Sequence, residues 1–593
     1  MNGAEYIVEF LCQKNIQKVY TVTGGACTYI IDAIGRHSDV DYVCVHHEQA
    51  AALAADAVWR VDHSQIGVTL CTSGPGATNL ITGIGCSFFD SIPTLHISGQ
   101  VNMLDHVGGL SKSPRQTGFQ ETNIVDVVRP ITKYAVRVDT VEQLKEELVK
   151  GYDIAISGRM GPVLIDVPMN VQKEEAGDRI ELFAEKEVNY LPIESVDLIS
   201  LQDEINGLLI SSLRPLVIFG SGIGLAGVED EVVGWLEKNS IPFVSSWSGQ
   251  AYFDHDSEYY FGNIGVYGNR GANYILQNCD LLLVLGNRLD TRQRTPGRGS
   301  FAAGATVVVI DIDQAELDKF GDCNYVRKLF DLRWFPQVLE YLEIPRSSDE
   351  WTSYLFEMKQ KYFRKDLSES STVTGALSPT EVIRRINDLI EVNSIVIVGC
   401  GGVTCWAYQS FHATSHTIFT NGGMAPMGYP LGASLGAAMT CPNRPVILIE
   451  GDGGFQMNIQ ELQTLKHYDL DVKIVIMNNG GYGIIKQFQD LWFDSRYEAS
   501  GRGVSMPNFE PIVRGYGINY HTVRLLSDIN KEMFLTPGSA VIDVQLDPNT
   551  LIKPKVEMGN PINDQFPYVT DPEFSQANRF VPYKRVRKTR PTN

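Results

Sequence analysis

No apolar run in the chain approaches the roughly 18 residues that a membrane-spanning helix needs. No basic-then-apolar leader opens it. Asn2 to Glu5 read instead as a helix start with a capping box, an Asn cap followed three residues later by Glu. There is no CxxC pair. Ten cysteines are scattered at positions 12, 27, 44, 71, 86, 279, 323, 400, 405 and 441, many of them in apolar runs. That spacing excludes a disulfide or zinc framework and fits reduced core residues of a cytoplasmic protein. No short tandem repeat is evident. Positive charge is in deficit: the net charge of −20 argues against nucleic acid or anionic membrane as a general partner. The one basic cluster, Lys584, Arg585, Arg587, Lys588 and Arg590, reads as a solvated tail.

What is present is globular and modular. Hydrophobic residues make up 44% and charged residues 20%, and 593 residues are too many for one core. Short aliphatic runs alternate with helical patterns throughout: Val19 to Val22, Gly67 to Cys71, Val163 to Val167, Leu216 to Phe219, Leu281 to Leu285, Val307 to Ile310 and Ile395 to Val398. The alternation predicts an α/β fold, with mainly parallel sheets flanked by helices and repeated in several units. Composition shifts mark two boundaries, around Gln172 to Ser195 and Ser347 to Gly375. After the second, Ser378-Pro379-Thr380-Glu381 is a helix start with a capping Ser and a Pro in the first turn. Three domains are expected, at 1–172, 190–345 and 375–550. An irregular tail at 551–593 would either wrap the surface or order over the site.

The densest chemistry lies in "ILIEGDGGFQMNIQELQTLKHYDLDVKIVIMNNGGYGI". The run Val446 to Ile449 leads into Gly451-Asp452-Gly453-Gly454, and the run Val472 to Met477 into Asn478-Asn479-Gly480-Gly481-Tyr482. Each reads as a buried parallel strand, with a helix between them. Both polar clusters then fall at strand carboxyl ends, where open α/β sheets bind ligands. A carboxylate, an amide oxygen and a glycine backbone make a hard-oxygen cage suited to Mg²⁺ and diphosphate. Ordinary strand-to-helix turns also use Gly and Asn, so it is the combination of both clusters with the span between them that carries the argument.

This combination resembles the thiamin-diphosphate motif, and the chain as a whole resembles the acetolactate synthase branch of those enzymes. The resemblance implies pyrimidine, central and pyrophosphate domains, with Asp452, Asn479 and the backbone of Gly481 holding Mg²⁺ on the cofactor diphosphate; Gly453, Gly454 and Tyr482 belong to the same site.

Glu48, in "VCVHHEQAAALAADAVWR", follows the apolar strand Tyr42 to Val45 and opens an Ala-rich helix. A glutamate there commonly does no more than complement the helix dipole. The resemblance implies more: the acid of this segment hydrogen-bonds N1′ of the aminopyrimidine and favours its reactive tautomer. His46 and His47 point to opposite faces of an extended segment and lack the HExxH spacing, so they are rejected as zinc ligands.

Other segments match the family role by role. Gly25, with Gly24 and Ala26, resembles the turn whose backbone approaches the thiazolium, and "CTSGPGATN" the glycine-rich turn beside the pyrimidine. Gln100 and the pair Phe119-Gln120 match substrate-side residues, and Lys133 a lysine near the channel. Met427 matches the bulky residue under the bent cofactor, with the carbonyl of Ala425 accepting from its 4′-amino group. "RPLVIFGSGIGLAG" satisfies GxGxxG at Gly222, Gly224 and Gly227, which is weak alone because the acidic ribose partner is not obvious. The resemblance extends to an FAD site in the central domain, which some relatives keep and others have lost. Its matching residues are Gly220, Gly222, Ser246, Trp247, Ile264 to Gly268 (Gly265 among them), Gly286, Arg288, Asp290, Asp311 and Ile312.

The match loosens on the acceptor side. Phe488 stands where the acceptor-selecting Trp would be, Thr291 replaces an acid, Met169 a lysine, and "GCGGVTCW" lacks the usual His-Gln pair. The expected activity is decarboxylation of pyruvate or another 2-keto acid and transfer of the acyl unit to a carbonyl acceptor, such as a second keto acid or a keto sugar. The alternatives are simple decarboxylation, a non-catalytic family member, or, on GxGxxG alone, a nicotinamide dehydrogenase. The family places each site between two chains, which implies a homodimer or homotetramer.

Overall fold

The aliphatic runs become the inner strands of three parallel sheets. The structure is a computed structural model that describes residues 1–106, 114–177, 195–295, 300–321, 323, 325–342, 347–363, 376–557, 559–583 and 585. The first sheet comprises β1 (Lys18–Val22), β2 (Asp41–Cys44), β3 (Gly67–Cys71), β4 (Thr94–Gln100), β5 (Tyr134–Arg137) and β6 (Pro162–Pro168), in the order β2-β1-β3-β4-β6-β5. The second holds β7 (Pro215–Phe219), β8 (Phe243–Ser245), β9 (Tyr260–Asn263), β10 (Leu281–Leu285), β11 (Thr306–Asp311) and β12 (Val326–Leu329), ordered β12-β11-β10-β7-β8-β9. The third holds β13 (Ile395–Val398), β14 (Thr417–Phe419), β15 (Val446–Gly451), β16 (Val472–Asn478), β17 (Asn519–Val523) and β18 (Ala540–Gln545), ordered β14-β13-β15-β16-β18-β17.

The first and third sheets therefore share one strand order: second, first, third, fourth, sixth, fifth. A repeat exists at the level of the fold although none shows in the sequence. The central sheet reads 3-2-1-4-5-6 in its own count, the order of dinucleotide-binding folds, with its switch point between β7 and β10. The inner strands β3, β4, β6, β7, β10 and β13 are buried along their whole length, as helices on both faces require.

The first and third domains share a core. The Ala-rich helix Glu48–Val61 lies against the helix Tyr429–Thr440, which carries both Ala and Gly. A Cβ on Gly436 would sit 2.0 Å from the Ala54 carbonyl oxygen, so glycine is what lets the backbones approach.

The tail packs on the body rather than standing off it. Ile552 exchanges two hydrogen bonds with the Gln487 amide, at 2.9 and 3.1 Å. Val556 N–H then donates to the Val266 carbonyl at 2.7 Å, and β19 (Lys555–Val556) pairs antiparallel with β20 (Gln565–Phe566). Ile562, Phe574 and Ala577 enter the core of the central domain beside Trp351 and Tyr354.

The capping box at Asn2 and Glu5 forms as expected, both bonds at 3.0 Å. At the other anticipated helix start, Ser378 is the cap residue and Pro379 opens the helix, but the serine hydroxyl makes no cap bond. It pairs instead with the Thr380 hydroxyl at 3.0 Å. All ten cysteines are free; Cys27, Cys71, Cys86, Cys279 and Cys405 are buried, and Cys44 is exposed at the end of β2. Residues 178–194 and 364–375, within the two composition shifts, and Lys584, Arg587, Lys588 and Arg590 lie outside the described residues. Among the described residues, no helix is long and apolar enough to cross a membrane.

Candidate active site

At the carboxyl end of β15, Asp452 begins the helix Asp452–Met457 and is 2% exposed. Its Oδ1 accepts from Gly453 N–H at 2.7 Å and its Oδ2 from Gly481 N–H at 2.9 Å, which joins the two clusters across adjacent strands. Burial pushes its pKa up to about 6, while the N–H groups of Gly453, Gly481 and Gly480 and the charge of Lys486 pull the other way. Among the described residues no cation forms an ion pair with it. Asn479 is also buried, and its side-chain amide makes no hydrogen bond among the described residues. A Cβ on Gly483 would meet Asn479 Nδ2 at 2.3 Å, so glycine is required for that amide to sit where it does. Gly481 has φ +152 and Gly480 φ +72, values that favour glycine. A buried carboxylate with no ion pair, beside an amide with no hydrogen bond among the described residues, fits a hard divalent cation.

Packing explains the glycines after Asp452. A Cβ on Gly453 would lie 2.4 Å from the Tyr482 ring and 3.1 Å from Met427 Cε. One on Gly454 would lie 2.2 Å from Glu450 Oε1. Glu450, which the sequence pattern did not single out, is fully buried under the site, with its pKa raised to about 8 by burial. Ala425, two residues before Met427, has φ +50, and its N–H donates to Asn421 Oδ1 at 3.0 Å.

Glu48 opens its helix behind His47, whose Nδ1 accepts from Gln49 N–H at 3.0 Å. Glu48 is 7% exposed, and its Oε2 accepts from Asn79 Nδ2 at 2.9 Å. Asn79 lies inside the "CTSGPGATN" turn but carried no signal of its own. A Cβ on Gly76, in the same turn, would come within 3.3 Å of Glu48 Oε1. The Cys27 thiol is pushed up to about 11, first by burial and further by the Glu48 charge. Gly24 abuts Thr72, while Gly25 has open space on its Cβ side. Gly74 (φ +63) abuts the Gln120 carbonyl, and Gln120 itself has φ +65. Three segments far apart in sequence thus meet around Glu48.

The remaining expected residues are placed differently. Gln100 is buried and fully engaged: its Nε2 donates to the Thr122 carbonyl and to Asp166 Oδ2, both at 2.9 Å, and its Oε1 accepts from Val101 N–H at 3.0 Å. Phe119 is 84% exposed. Lys133 donates to the carbonyls of Ile154 and Ser157, and burial lowers its pKa to about 8. No hydrogen bond or ion pair joins Glu48 to Asp452 or Asn479 among the described residues.

A separate cleft opens at the switch point of the central sheet. Gly222, Ser246, Trp247, Gly286, Arg288, Asp290 and Asp311 line it, with Arg159 from the first domain and Gly422 from the third. Gly220 and Gly222 press against Gly286 (φ +56), with Gly222 N–H donating to the Gly286 carbonyl at 3.0 Å, and Gly265 has φ +125. Trp247 Nε1, Asn287 Nδ2 and Gln293 Oε1 are buried there without partners among the described residues. Arg288 has no ion pair among the described residues, whereas Asp290 is occupied in capping the helix Thr291–Arg294. The fold order, the glycine-lined switch point and the unpartnered polar atoms fit a dinucleotide.

Comparison with known proteins follows the same three divisions. Residues 1–127 match the description "Thiamine pyrophosphate enzyme, N-terminal TPP binding domain", residues 203–328 the central domain and residues 398–544 the C-terminal TPP binding domain of that family. The chain belongs to the thiamine pyrophosphate enzymes, in their acetolactate synthase-like branch. It is 30% identical over 565 residues to the acetolactate synthase isozyme 2 large subunit of Escherichia coli strain K12, covering 94% of this chain and 98% of that protein. It is 32% identical to the acetolactate synthase large subunit of Parasynechococcus marenigrum, covering 88% and 83%. A probable acetolactate synthase large subunit of Methanocaldococcus jannaschii is 30% identical, with 99% of each chain covered. This acetolactate synthase-like enzyme therefore uses thiamin diphosphate, and its first and third sheets are the family's two TPP-binding domains.

Proposed function

We propose that the protein is a thiamin-diphosphate- and Mg²⁺-dependent carboligase. It takes pyruvate or another 2-keto acid as donor and a carbonyl compound, a second keto acid or a keto sugar, as acceptor. The observation that carries the proposal is the joining of Asp452 and Gly481 at 2.9 Å beside the unpartnered amide of Asn479, with a buried Glu48 on the opposite TPP-binding domain. Asp452, Asn479 and the Gly481 carbonyl would hold Mg²⁺ and, through it, the diphosphate, with Gly453, Gly454 and Tyr482 shaping the floor. Thiamin diphosphate, when bound, supplies the electron sink that lets carbon dioxide leave. Glu48, fixed by Asn79, holds the proton shared with the aminopyrimidine N1′. Met427 supports the cofactor between its rings, and the Ala425 carbonyl accepts from its amino group. Gly25, Phe119 and Gln120 border the substrate side, while Gln100 and Lys133 hold the framework behind it.

The acceptor side is where the sequence loosens from the family pattern. Phe488 is 41% exposed and stands beside Trp492 and Phe493, with ring centroids 6.5 and 6.1 Å away. That apolar edge, where the family pattern has a single Trp, is proposed to border the acceptor. FAD is proposed for the central cleft, with Arg288 on its diphosphate and Asp311 on its ribose side. Domain limits are proposed at 1–172, 190–345 and 375–550. Glu48 and the Asp452–Asn479 pair are assigned to opposite chains of a homodimer or homotetramer, as the resemblance to the family implies. Incubation with labelled pyruvate and a panel of keto acids, aldehydes and nucleotide keto sugars, read by mass spectrometry, tests the proposal. A Mg²⁺-dependent two-carbon adduct of one acceptor is expected; free acetaldehyde as the sole product refutes carboligation.

A further inference from the structure

The segment Asn421 to Gly428, between β14 and the helix Tyr429–Thr440, carries Ala425 and Met427, yet none of its apolar side chains is fully buried: Met424 is exposed and Ala425, Pro426 and Met427 are half-buried. Buried charge on the other TPP-binding domain holds it. Arg60, on the helix Glu48–Val61, donates through Nη2 to Asp90 Oδ2 at 2.8 Å and through Nε to Asp56 Oδ2 at 2.7 Å. Its Nη1 donates to the Thr420 carbonyl at 3.3 Å. Asp90 in turn grips the loop: Oδ2 accepts from Asn421 Nδ2 and Gly422 N–H, both at 3.0 Å, and Oδ1 from Gly423 N–H at 2.8 Å. A Cβ on Gly423 would lie 2.5 Å from Phe89 Cβ and 2.8 Å from Asp90 Oδ1, so the approach requires glycine.

Asn421 passes the grip onward. Its Oδ1 accepts from Met424 N–H at 3.1 Å and from Ala425 N–H at 3.0 Å. Ala425 is left-handed at φ +50, a conformation that costs a non-glycine residue free energy and persists only where its surroundings impose it. Past Met427, the Tyr429 hydroxyl donates to Asp56 Oδ2 at 2.6 Å, and Ser87 donates to Asp56 Oδ1 at 2.9 Å. The loop is thus tied at both ends to one guanidinium and its two carboxylates, whose four oxygens all have donors. A buried cluster of this kind is costly to break from one side, because it leaves a charge without its partner.

We infer that Arg60 and Asp90, acting through Asn421, are positioning residues for the cofactor. They fix the Ala425 carbonyl and Met427, and so set how firmly the aminopyrimidine half of thiamin diphosphate is held. The inference rests on the proposed roles of Ala425 and Met427. Asp90→Asn and Asn421→Ala are to be compared with the wild-type chain in Mg²⁺. Three readouts apply: thiamin diphosphate affinity by fluorescence titration, near-ultraviolet circular dichroism of the bound aminopyrimidine, and far-ultraviolet circular dichroism of the fold. Both variants are expected to keep the fold, bind the cofactor at least about tenfold more weakly and change its dichroism. Asn421→Ala leaves the Arg60–Asp90 pair intact, so it carries the test alone if Asp90→Asn does not fold. Adding Ala425→Gly to Asn421→Ala should recover part of the affinity, since glycine takes the left-handed conformation without strain. Folded variants with wild-type affinity and dichroism overturn the inference while the functional reading stands. A wild-type chain that does not bind the cofactor overturns the reading itself.

Discussion

Replacing Asp452 by Asn should separate cofactor binding from folding. In the wild-type apoprotein the carboxylate is buried with N–H donors but no ion pair among the described residues, and its pKa is pushed from 3.8 to about 6. At pH 8 that difference corresponds to about 3 kcal/mol of unfavourable burial. The sign follows from the direction: a raised carboxyl pKa means stability present in acid and lost as pH rises through about 6. Asn removes the charge, but its amide group leaves one of the Gly453 and Gly481 N–H donors facing another donor, at a cost of about 1–3 kcal/mol. The two effects nearly cancel, so apo stability at pH 8 should stay within about 2 kcal/mol of wild type. Cofactor binding has no such compensation, because the only carboxylate in the proposed metal site is gone. A loss of about 3 kcal/mol or more is expected, or at least about 10²-fold in thiamin diphosphate affinity in Mg²⁺. Urea unfolding of the apoprotein and calorimetric titration of the cofactor supply the two numbers. Unchanged cofactor affinity, or a severely destabilised apoprotein, would refute the reasoning.

Three further outcomes are expected. Glu48→Gln keeps the bond from Asn79 and the cofactor affinity within a few-fold, but loses about 10²–10⁴-fold in carbon dioxide release from labelled pyruvate; full turnover would remove the assignment. Arg288→Met should empty the central cleft of flavin, read as loss of visible absorbance in the purified protein, with thiamin diphosphate affinity unchanged. Asp166, buried between Ser98 and Gln100, has its pKa raised from 3.8 to about 7 by burial, so it costs the fold stability as pH rises between those values and no further above them. Asp166→Asn should therefore flatten the fall in unfolding free energy between about pH 4 and 7; a parallel fall in both proteins would contradict it.

The strands and the metal corner were legible because their signals are local. β3, β10 and β13 have the limits of their aliphatic runs, and Asp452 and Asn479 each sit directly after one. Glu48 was legible as the first residue of a helix behind a strand, but its partner Asn79 was not, since 31 positions separate them. Gln100 matched a substrate-side residue in type and position, yet its amide is spent on Asp166, 66 residues away on β6. Periodicity carries no information about such pairings. The Arg60–Asp90–Asn421 chain was invisible for the same reason: a buried Arg at the end of an Ala-rich helix looks like an exposed one until the third domain is folded against it. The tail's place could not be chosen from its composition; Gln487, Val266 and the aromatic core around Trp351 decide it.

Calorimetric titration of the purified chain with thiamin diphosphate, with and without Mg²⁺, tests the central claim most directly. Stoichiometric binding that depends on the metal, and that is lost in Asp452→Asn, is the predicted result. No heat and no saturation, even in excess Mg²⁺, would contradict it.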